Sequence, residues 1–255
     1  DPDTWVLTTV AYGNIVGAIE DVAIGDLDGD GWPDLVSANE EAHLAYFHNP
    51  GSQQAARQGN WPSFIPPRTQ GRGSWLRVFI ADIDGDGRDD VTGANKGASD
   101  IVDPAAPRAD RTTSLFTIDG DPLNPDAWHE QVLLAKDVPN TAMPVDIDGD
   151  GDLDLVTGTD GENRVWTNDG TGLFSDSGVS MGSSRTVGIA LADMDGDGDL
   201  DVIAANEGTS LIWLNDGSGN FSDSGQTILD GDDTPTKALA VADLDHLGGA
   251  GLGDG

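Results

Sequence analysis

One nine-residue acidic loop occurs four times in this chain of 255 residues. The first copy spans residues 26–34 (DLDGDGWPD), and the other copies begin at residues 82, 146 and 193. Each copy has aspartate at loop positions one, three, five and nine, and glycine at positions four and six. Carboxylates held this close repel one another strongly unless a cation lies among them. Because Ca²⁺ prefers six to eight oxygen ligands, the loops are candidate calcium sites.

The candidate carboxylate ligands are the four aspartates of each loop: Asp26, Asp28, Asp30, Asp34, Asp82, Asp84, Asp86, Asp90, Asp146, Asp148, Asp150, Asp154, Asp193, Asp195, Asp197 and Asp201. The glycines fit this role, because a chelating loop needs tight turns and such turns often require positive φ. Structural calcium, with every ligand position filled by protein, is favoured over a catalytic metal. The sequence therefore predicts about four structural calcium sites.

An EF-hand is excluded by the residues that follow each loop. The EF-hand needs a bidentate glutamate at position twelve. That position holds Ser37, Gly93, Thr157 or Ala204. The flanking segments are short apolar runs bounded by turn residues, such as residues 22–25, and these are typical of buried strands. Each loop is therefore predicted to be the tip of a β-hairpin.

Composition limits the classes of partner. The formal net charge is −34, with no cysteine, so nucleic acid and anionic membranes are poor partners and no disulfide contributes to stability. No apolar run approaches the roughly 18 residues of a membrane span, so direct membrane insertion is not expected. These features agree with a secreted, metal-dependent β protein.

The loop starts lie 47 to 64 residues apart, a period that is typical of propellers and solenoids. Apolar strands flank each loop, a third strand carries an aromatic residue, and a Gly-x-Phe-Ser turn at residues 172–175 and 219–222 opens a fourth. Four strands per unit predict an all-β fold of four-stranded antiparallel propeller blades. The predicted single domain, residues 1–255, has repeats at about 19–75, 76–142, 143–186, 187–235 and a partial 236–255.

These motifs resemble the FG-GAP/VCBS repeats found in integrin α-subunits and in many secreted bacterial proteins. The resemblance covers residues 19–245 and implies a calcium-binding β-propeller, often of seven blades, in a secreted or cell-surface protein. It also implies the loop aspartates as calcium ligands. The backbone carbonyls at loop position seven would add a further oxygen: those of Trp32, Arg88, Asp152 and Asp199.

The last repeat departs from this pattern. Asp243 and Asp245 begin a fifth loop, but residues 246–249 (HLGG) do not continue it. Residues 5–10 and 128–134 both read as the outermost strand that precedes a new blade. The chain is therefore expected to be an incomplete arc of a larger propeller. Because an open arc exposes strand edges, we expect it to aggregate or to pair with another copy.

No recognisable catalytic set accompanies the repeats. The four histidines are scattered, and His48 is interpreted as a strand residue, equivalent to Thr167 and Leu214. No nucleophile elbow, zinc-protease helix or phosphate-binding loop is present. The favoured function is a non-catalytic recognition or adhesion module for an extracellular protein or carbohydrate. The alternative is the propeller part of a polysaccharide lyase or another secreted carbohydrate-active enzyme.

An insertion at residues 97–113 is the candidate ligand site. It connects the second and third strands of its repeat, so it is predicted on the face opposite the acidic loops. It carries Arg108 and Arg111, and a guanidinium can hold a carboxylate or sulfate through two parallel hydrogen bonds. An acidic glycan or acidic peptide is therefore the expected ligand.

Overall fold

The computed structural model describes residues 9–11, 15–40, 42–97, 111–134 and 138–228, and most of their regular structure is β-strand. Sixteen strands in these ranges form four antiparallel sheets of four strands, and the strand order within each sheet follows the chain. The predicted all-β fold of four-stranded antiparallel blades is confirmed. The four sheets are called blades 1 to 4 below.

Blade 1 contains β1 (Ala18–Gly25), β2 (Asp34–Glu40), β3 (Leu44–Phe47) and β4 (Ser63–Phe64). Blade 2 contains β5 (Ser74–Ala81), β6 (Asp90–Gly97), β7 (Thr112–Ile118) and β8 (Trp128–Leu134). Blade 3 contains β9 (Pro139–Val145), β10 (Asp154–Thr159), β11 (Arg164–Asn168) and β12 (Phe174–Ser180). Blade 4 contains β13 (Thr186–Ala192), β14 (Asp201–Asn206), β15 (Ser210–Asn215) and β16 (Phe221–Ile228). The short helices are α1 (Gln53–Ala56) and a 3-10 turn (Pro125–Ala127), and no described helix is long and apolar enough to cross a membrane.

The first strands of neighbouring blades contact one another: β1 meets β5, β5 meets β9, and β9 meets β13. The first strand is also an edge strand of every sheet. That position explains β9, which the sequence pattern did not identify because of Pro139 and Pro144. A proline has no N–H to donate, so it is tolerated on an edge strand where only one side needs backbone hydrogen bonds.

Each acidic loop joins the first strand of a blade to the second. The pairs that close these hairpins are equivalent in all four blades: Gly25 with Asp34, Ala81 with Asp90, Val145 with Asp154, and Ala192 with Asp201. The hairpin prediction is thus confirmed. Because successive strands are antiparallel, the acidic loops lie at one end of the blades, here called the loop face, and the second-to-third connections lie at the other end.

The hydrophobic core fills the space between neighbouring blades. The largest cluster joins blades 1 and 2 and includes Tyr46, Trp75, Phe116 and Trp128. The residue at loop position two belongs to this packing, since Leu27, Ile83 and Ile147 are at most 2% exposed. Each of these three acidic loops is therefore anchored in the core by one apolar side chain, while its carboxylates lie at the surface or just beneath it.

Candidate metal sites

Three hydrogen bonds from the backbone to the carboxylates shape every acidic loop. The amide at position five donates to the position-three carboxylate at 3.1–3.3 Å. The amide at position six donates to position one at 2.8–3.2 Å. The amide at position seven donates to position five at 2.8–3.0 Å. Because the same bonds recur in all four loops, the loop itself orients these carboxylates.

The glycines at positions four and six have the conformation that the loop requires. In the first loop, Gly29 has φ of 74° and Gly31 has φ of 86°. The equivalent glycines of the other loops have φ between 73° and 100°. A side chain is strained in this left-handed region, so only glycine allows both turns at low cost.

The carboxylates of each loop converge. Side-chain oxygens at positions one, three and five lie within 4.8 Å of one another in the first, second and fourth loops. In the third loop the converging set is Asp146, Asp148 and Asp154, from positions one, three and nine. The structure therefore brings the predicted ligands together within each loop. Their metal ligation itself stays a prediction.

Position seven contributes contacts of a different kind. The backbone amides of Trp32, Arg88, Asp152 and Asp199 bind position five, and the ligand role of their carbonyls stays a prediction. A Cβ added to Gly170 or Gly217 would collide with the carboxylate of Asp152 or Asp199, respectively. The turn between the third and fourth strands thus packs directly on the acidic loop of its own blade.

The aspartates at position nine are buried, unlike the others. Asp34, Asp90, Asp154 and Asp201 are at most 3% exposed. In blade 4, Asp201 accepts hydrogen bonds from the amides of Met194 at 2.7 Å and Asn215 at 2.8 Å. Blades 2 and 3 show the same bonds from loop position two and from the end of the third strand. Position nine therefore ties the acidic loop to the third strand, a role that the repeat spacing did not indicate.

Two asparagines connect neighbouring blades at the loop face. Asn215 donates to the carbonyls of Ile147 in blade 3 and Leu200 in its own blade, and accepts from the Gly219 amide. Asn168 makes the equivalent bonds from blade 3 to blade 2. The recurring aromatic-x-Asn pattern contained this signal, but spacing alone gave no partner for the amide. Each asparagine holds its own loop against the preceding one.

We expect Asn215→Ala to lower the free energy of unfolding by about 2–4 kcal/mol, because it leaves two carbonyls and one buried amide without their partner. Asn220→Ala is the matched control, since Asn220 is exposed in the same turn and its side-chain amide bonds the exposed Asp216. It should cost less than about 0.5 kcal/mol. Urea denaturation of both variants measures the difference. Equal stabilities would refute the connecting role of Asn215.

The electrostatics of the loops suit a bound cation. Burial, with the charge of Asp84, raises the pKa of Asp90 to about 7. Burial also raises the pKa of Asp154 to about 6 and shifts the pKa of Asp84 and Asp148 upward. Negative charge is thus disfavoured in a loop that lacks a counter-ion. In addition, the buried Oδ1 of Asp82 has no hydrogen-bond partner in the described part of the chain. An all-oxygen donor set with an unpaired buried oxygen fits a hard ion such as Ca²⁺.

A histidine that could act as a ligand lies beside the first loop, a position that the sequence analysis did not predict. Nδ1 of His48 lies 3.2 Å from Asp28 and 3.6 Å from Asp34. His48 immediately follows β3, which ends at Phe47, so its interpretation as a strand residue is wrong by one position. The turn after β3 directs the imidazole toward the loop. His43, by contrast, is buried and bonds the Ile15 carbonyl.

The arginines of the insertion are only partly described. Arg108 lies outside the described residues. Arg111 immediately precedes β7, at the end of blade 2 away from the acidic loop, and it is partly buried. Its Nε has no hydrogen-bond partner among the described residues. The structure therefore agrees with the predicted face for Arg111, and the ligand role of both arginines stays a prediction.

Two solved structures are similar to this chain at low sequence identity. BBS1N, solved in complex with ARL6DN, is 16% identical with a TM-score of 0.50, and the match covers 87% of this chain and 62% of that one. A lectin from Agrocybe aegerita, described as recognising non-reducing terminal N-acetylglucosamine, is 20% identical with a TM-score of 0.49 over 78% of this chain and 49% of that one. The chain thus spans about half to three-fifths of these proteins, and the likeness to BBS1N supports the β-propeller fold alone. No curated protein sequence matches significantly.

The sequence itself matches a repeat family. A model described as FG-GAP-like repeat matches residues 10–92, 146–204 and 193–246. These ranges include all four acidic loops, and together they cover more than half of the chain. With its blades of four strands and its loop-tipped hairpins, this chain belongs to the FG-GAP-like repeat family.

Proposed function

We propose that this chain is a calcium-stabilised recognition module, secreted or displayed at a cell surface, which binds an extracellular protein or carbohydrate without catalysing a reaction. The observation that carries the proposal is the fourfold recurrence of one preorganised oxygen-donor loop on one face of the blades. Repeated loops of this kind supply rigidity, because an ion bound by each hairpin holds the strands that the loop joins. A rigid propeller then presents the opposite face to a partner.

Among the described basic side chains of the opposite face, Arg111 is the one that supports an acidic partner. The ion pairs of that face engage several other basic side chains: Lys96 with Glu40, Arg72 with Glu130, and Arg185 with both Asp160 and Glu207. No ion pair joins Arg111 to another residue that the structure describes. A guanidinium can bind a carboxylate or sulfate in a bidentate manner. Arg111, with Arg108 from the same insertion, is our candidate ligand contact.

We expect the double variant Arg108→Ala, Arg111→Ala to lose binding to acidic glycans or an acidic protein by about 10-fold or more, as one charge-assisted pair is commonly worth about 1.5–3 kcal/mol. The measurement combines an acidic-glycan array with pull-down in the presence of calcium. Arg88→Ala is the control for the loss of a guanidinium, because it removes one positive charge from the loop face and keeps the backbone carbonyl that is the candidate ligand. Unchanged binding by the double variant, at an unchanged melting temperature, would remove the insertion from the ligand site.

The same samples test the alternative of a polysaccharide lyase. A lyase releases an unsaturated product that absorbs in the ultraviolet, so incubation with acidic polysaccharides distinguishes cleavage from binding. Binding without an increase in absorbance supports the recognition module. Cleavage by the purified chain would overturn the non-catalytic part of the proposal.

A further inference from the structure

The first acidic loop has a nitrogen donor on its ligand side. Nδ1 of His48 lies 3.2 Å from a carboxylate oxygen of Asp28 and 3.6 Å from one of Asp34. Ligand atoms of these three residues all lie within 4.8 Å of one another. The donors come from two separate segments, the loop and the end of β3. They form a mixed set of one imidazole and two carboxylates rather than a purely acidic cluster.

Blade 1 alone among the described blades carries this donor. The backbone amide that follows His48 bonds position nine of the loop, and the same bond defines the equivalent residues in the other blades. Those equivalents are Thr117, Thr167 and Leu214. None of the three has a nitrogen ligand, so the first loop is chemically different from the loops whose sequence it repeats.

A second residue of blade 1 supports the set from beneath. The hydroxyl of Tyr46 donates to Asp34 at 2.8 Å, and Tyr46 is fully buried. The strand register places Leu115, Val165 and Ile212 at the equivalent positions of the other blades. A hydrogen bond that orients a ligating carboxylate is the usual second layer of a metal site. Blade 1 therefore has both an additional nitrogen donor, His48, and an additional hydrogen bond that orients Asp34.

The set also opens on a cleft. A space of about 470 Å³ lies beside it, lined by Asp28, His48, Arg88, Gly120, Asp121 and Leu123. The next cleft along the loop face is smaller, about 270 Å³, and has Thr117 at the position of His48. The first cleft leaves room for water or another small ligand on an ion held by three protein groups. Three protein ligands with an open position are characteristic of reactive zinc sites.

We propose that Asp28, Asp34 and Nδ1 of His48 form a site for a borderline divalent cation such as Zn²⁺. The metal preference of this site differs from that of the other three loops. Imidazole suits Zn²⁺, Ni²⁺ and Cu²⁺, whereas Ca²⁺ prefers oxygen ligands alone. Asp28 and Asp34 are also candidate calcium ligands, so the two ions would exclude each other at the first loop. The proposal does not require calcium at the other loops.

Titration of metal-free protein with ZnCl₂, followed by calorimetry and by NMR of ¹⁵N-labelled histidine, tests the site. We expect one tight equivalent of Zn²⁺ and a shift of the His48 Nδ1 resonance at the same stoichiometry. In His48→Thr, which introduces the residue of blades 2 and 3, the zinc affinity should fall by at least about 10-fold, because loss of even an outer-layer partner typically costs that much. His129→Thr is the control, because exposed His129 lines the neighbouring cleft but belongs to none of the described candidate ligand groups.

Two results would overturn the proposal. Equal zinc affinity in the wild type and in His48→Thr would show that carboxylates alone bind the ion. Absence of zinc binding to a wild type that is folded by circular dichroism would limit His48 to hydrogen bonding with Asp28 and Tyr46. Because the titration contains no calcium, neither result depends on whether calcium binds the other loops. In calcium-saturated protein, zinc should displace one calcium equivalent from the wild type and none from His48→Thr.

Discussion

Removal of calcium is expected to lower the melting temperature of this chain by more than about 20 °C. An ion that binds only the folded state adds about 2.7 kcal/mol per site at 100-fold excess over its Kd, so four independent sites add about 11 kcal/mol. A change of 1 kcal/mol moves the melting temperature of a chain this large by roughly 2–4 °C. Loss of the ions also restores repulsion among the loop carboxylates. Differential scanning calorimetry with calcium and with a calcium-selective chelator measures the shift.

Magnesium provides the control for a general charge effect. Mg²⁺ screens carboxylates as well as Ca²⁺ does, but it requires a stricter octahedron and gives up its water reluctantly. At equal ionic strength it should restore only a small part of the lost melting temperature. A melting curve that the chelator leaves unchanged would reject structural calcium. Full rescue by Mg²⁺ would show that the loops need counter-charge rather than a calcium-shaped site.

The fold could be predicted because each blade repeats its local chemistry. Glycines with positive φ, and short apolar runs bounded by turn residues, specify hairpins without reference to distant residues. The fourth strand of blade 1, Ser63–Phe64, has no repeat pattern of its own, since it is only two residues long and follows α1. The two prolines of β9 gave no strand pattern in the sequence. They are tolerated because β9 is an edge strand. These elements depend on tertiary context, which a local pattern does not contain.

The candidate sites could be predicted in outline for the same reason. Spacing within a loop brings positions one, three and five together, as in Asp193, Asp195 and Asp197. Burial of position nine could not be read from spacing, because it depends on the end of the third strand reaching the loop. The approach of His48 to Asp28 depends on that same junction. A residue in a variable position of the repeat acquires its role from the fold around it.

Replacement of the position-nine aspartate should have two separable effects, on calcium affinity and on the stability of the metal-free fold. Both oxygens of Asp201 accept short hydrogen bonds from backbone amides, and its side chain is fully buried. Asp201→Asn keeps the shape but turns an NH₂ group toward one of those amides. One buried donor loses its acceptor and faces another donor, so the free energy of unfolding in chelator should fall by about 2–4 kcal/mol. The variant should also bind one equivalent of calcium fewer than the wild type.

The matched variant is Asp197→Asn, at position five of the same loop. Asp197 is exposed, and its one backbone bond, from the Asp199 amide, can be kept by the asparagine oxygen. It should therefore lose about as much calcium affinity as Asp201→Asn while its stability in chelator stays within about 0.5 kcal/mol of the wild type. Urea denaturation in chelator and calorimetric calcium titration separate the two effects. If both variants unfold alike in chelator, position nine acts as a metal ligand alone, and the tie between the loop and the third strand contributes nothing measurable.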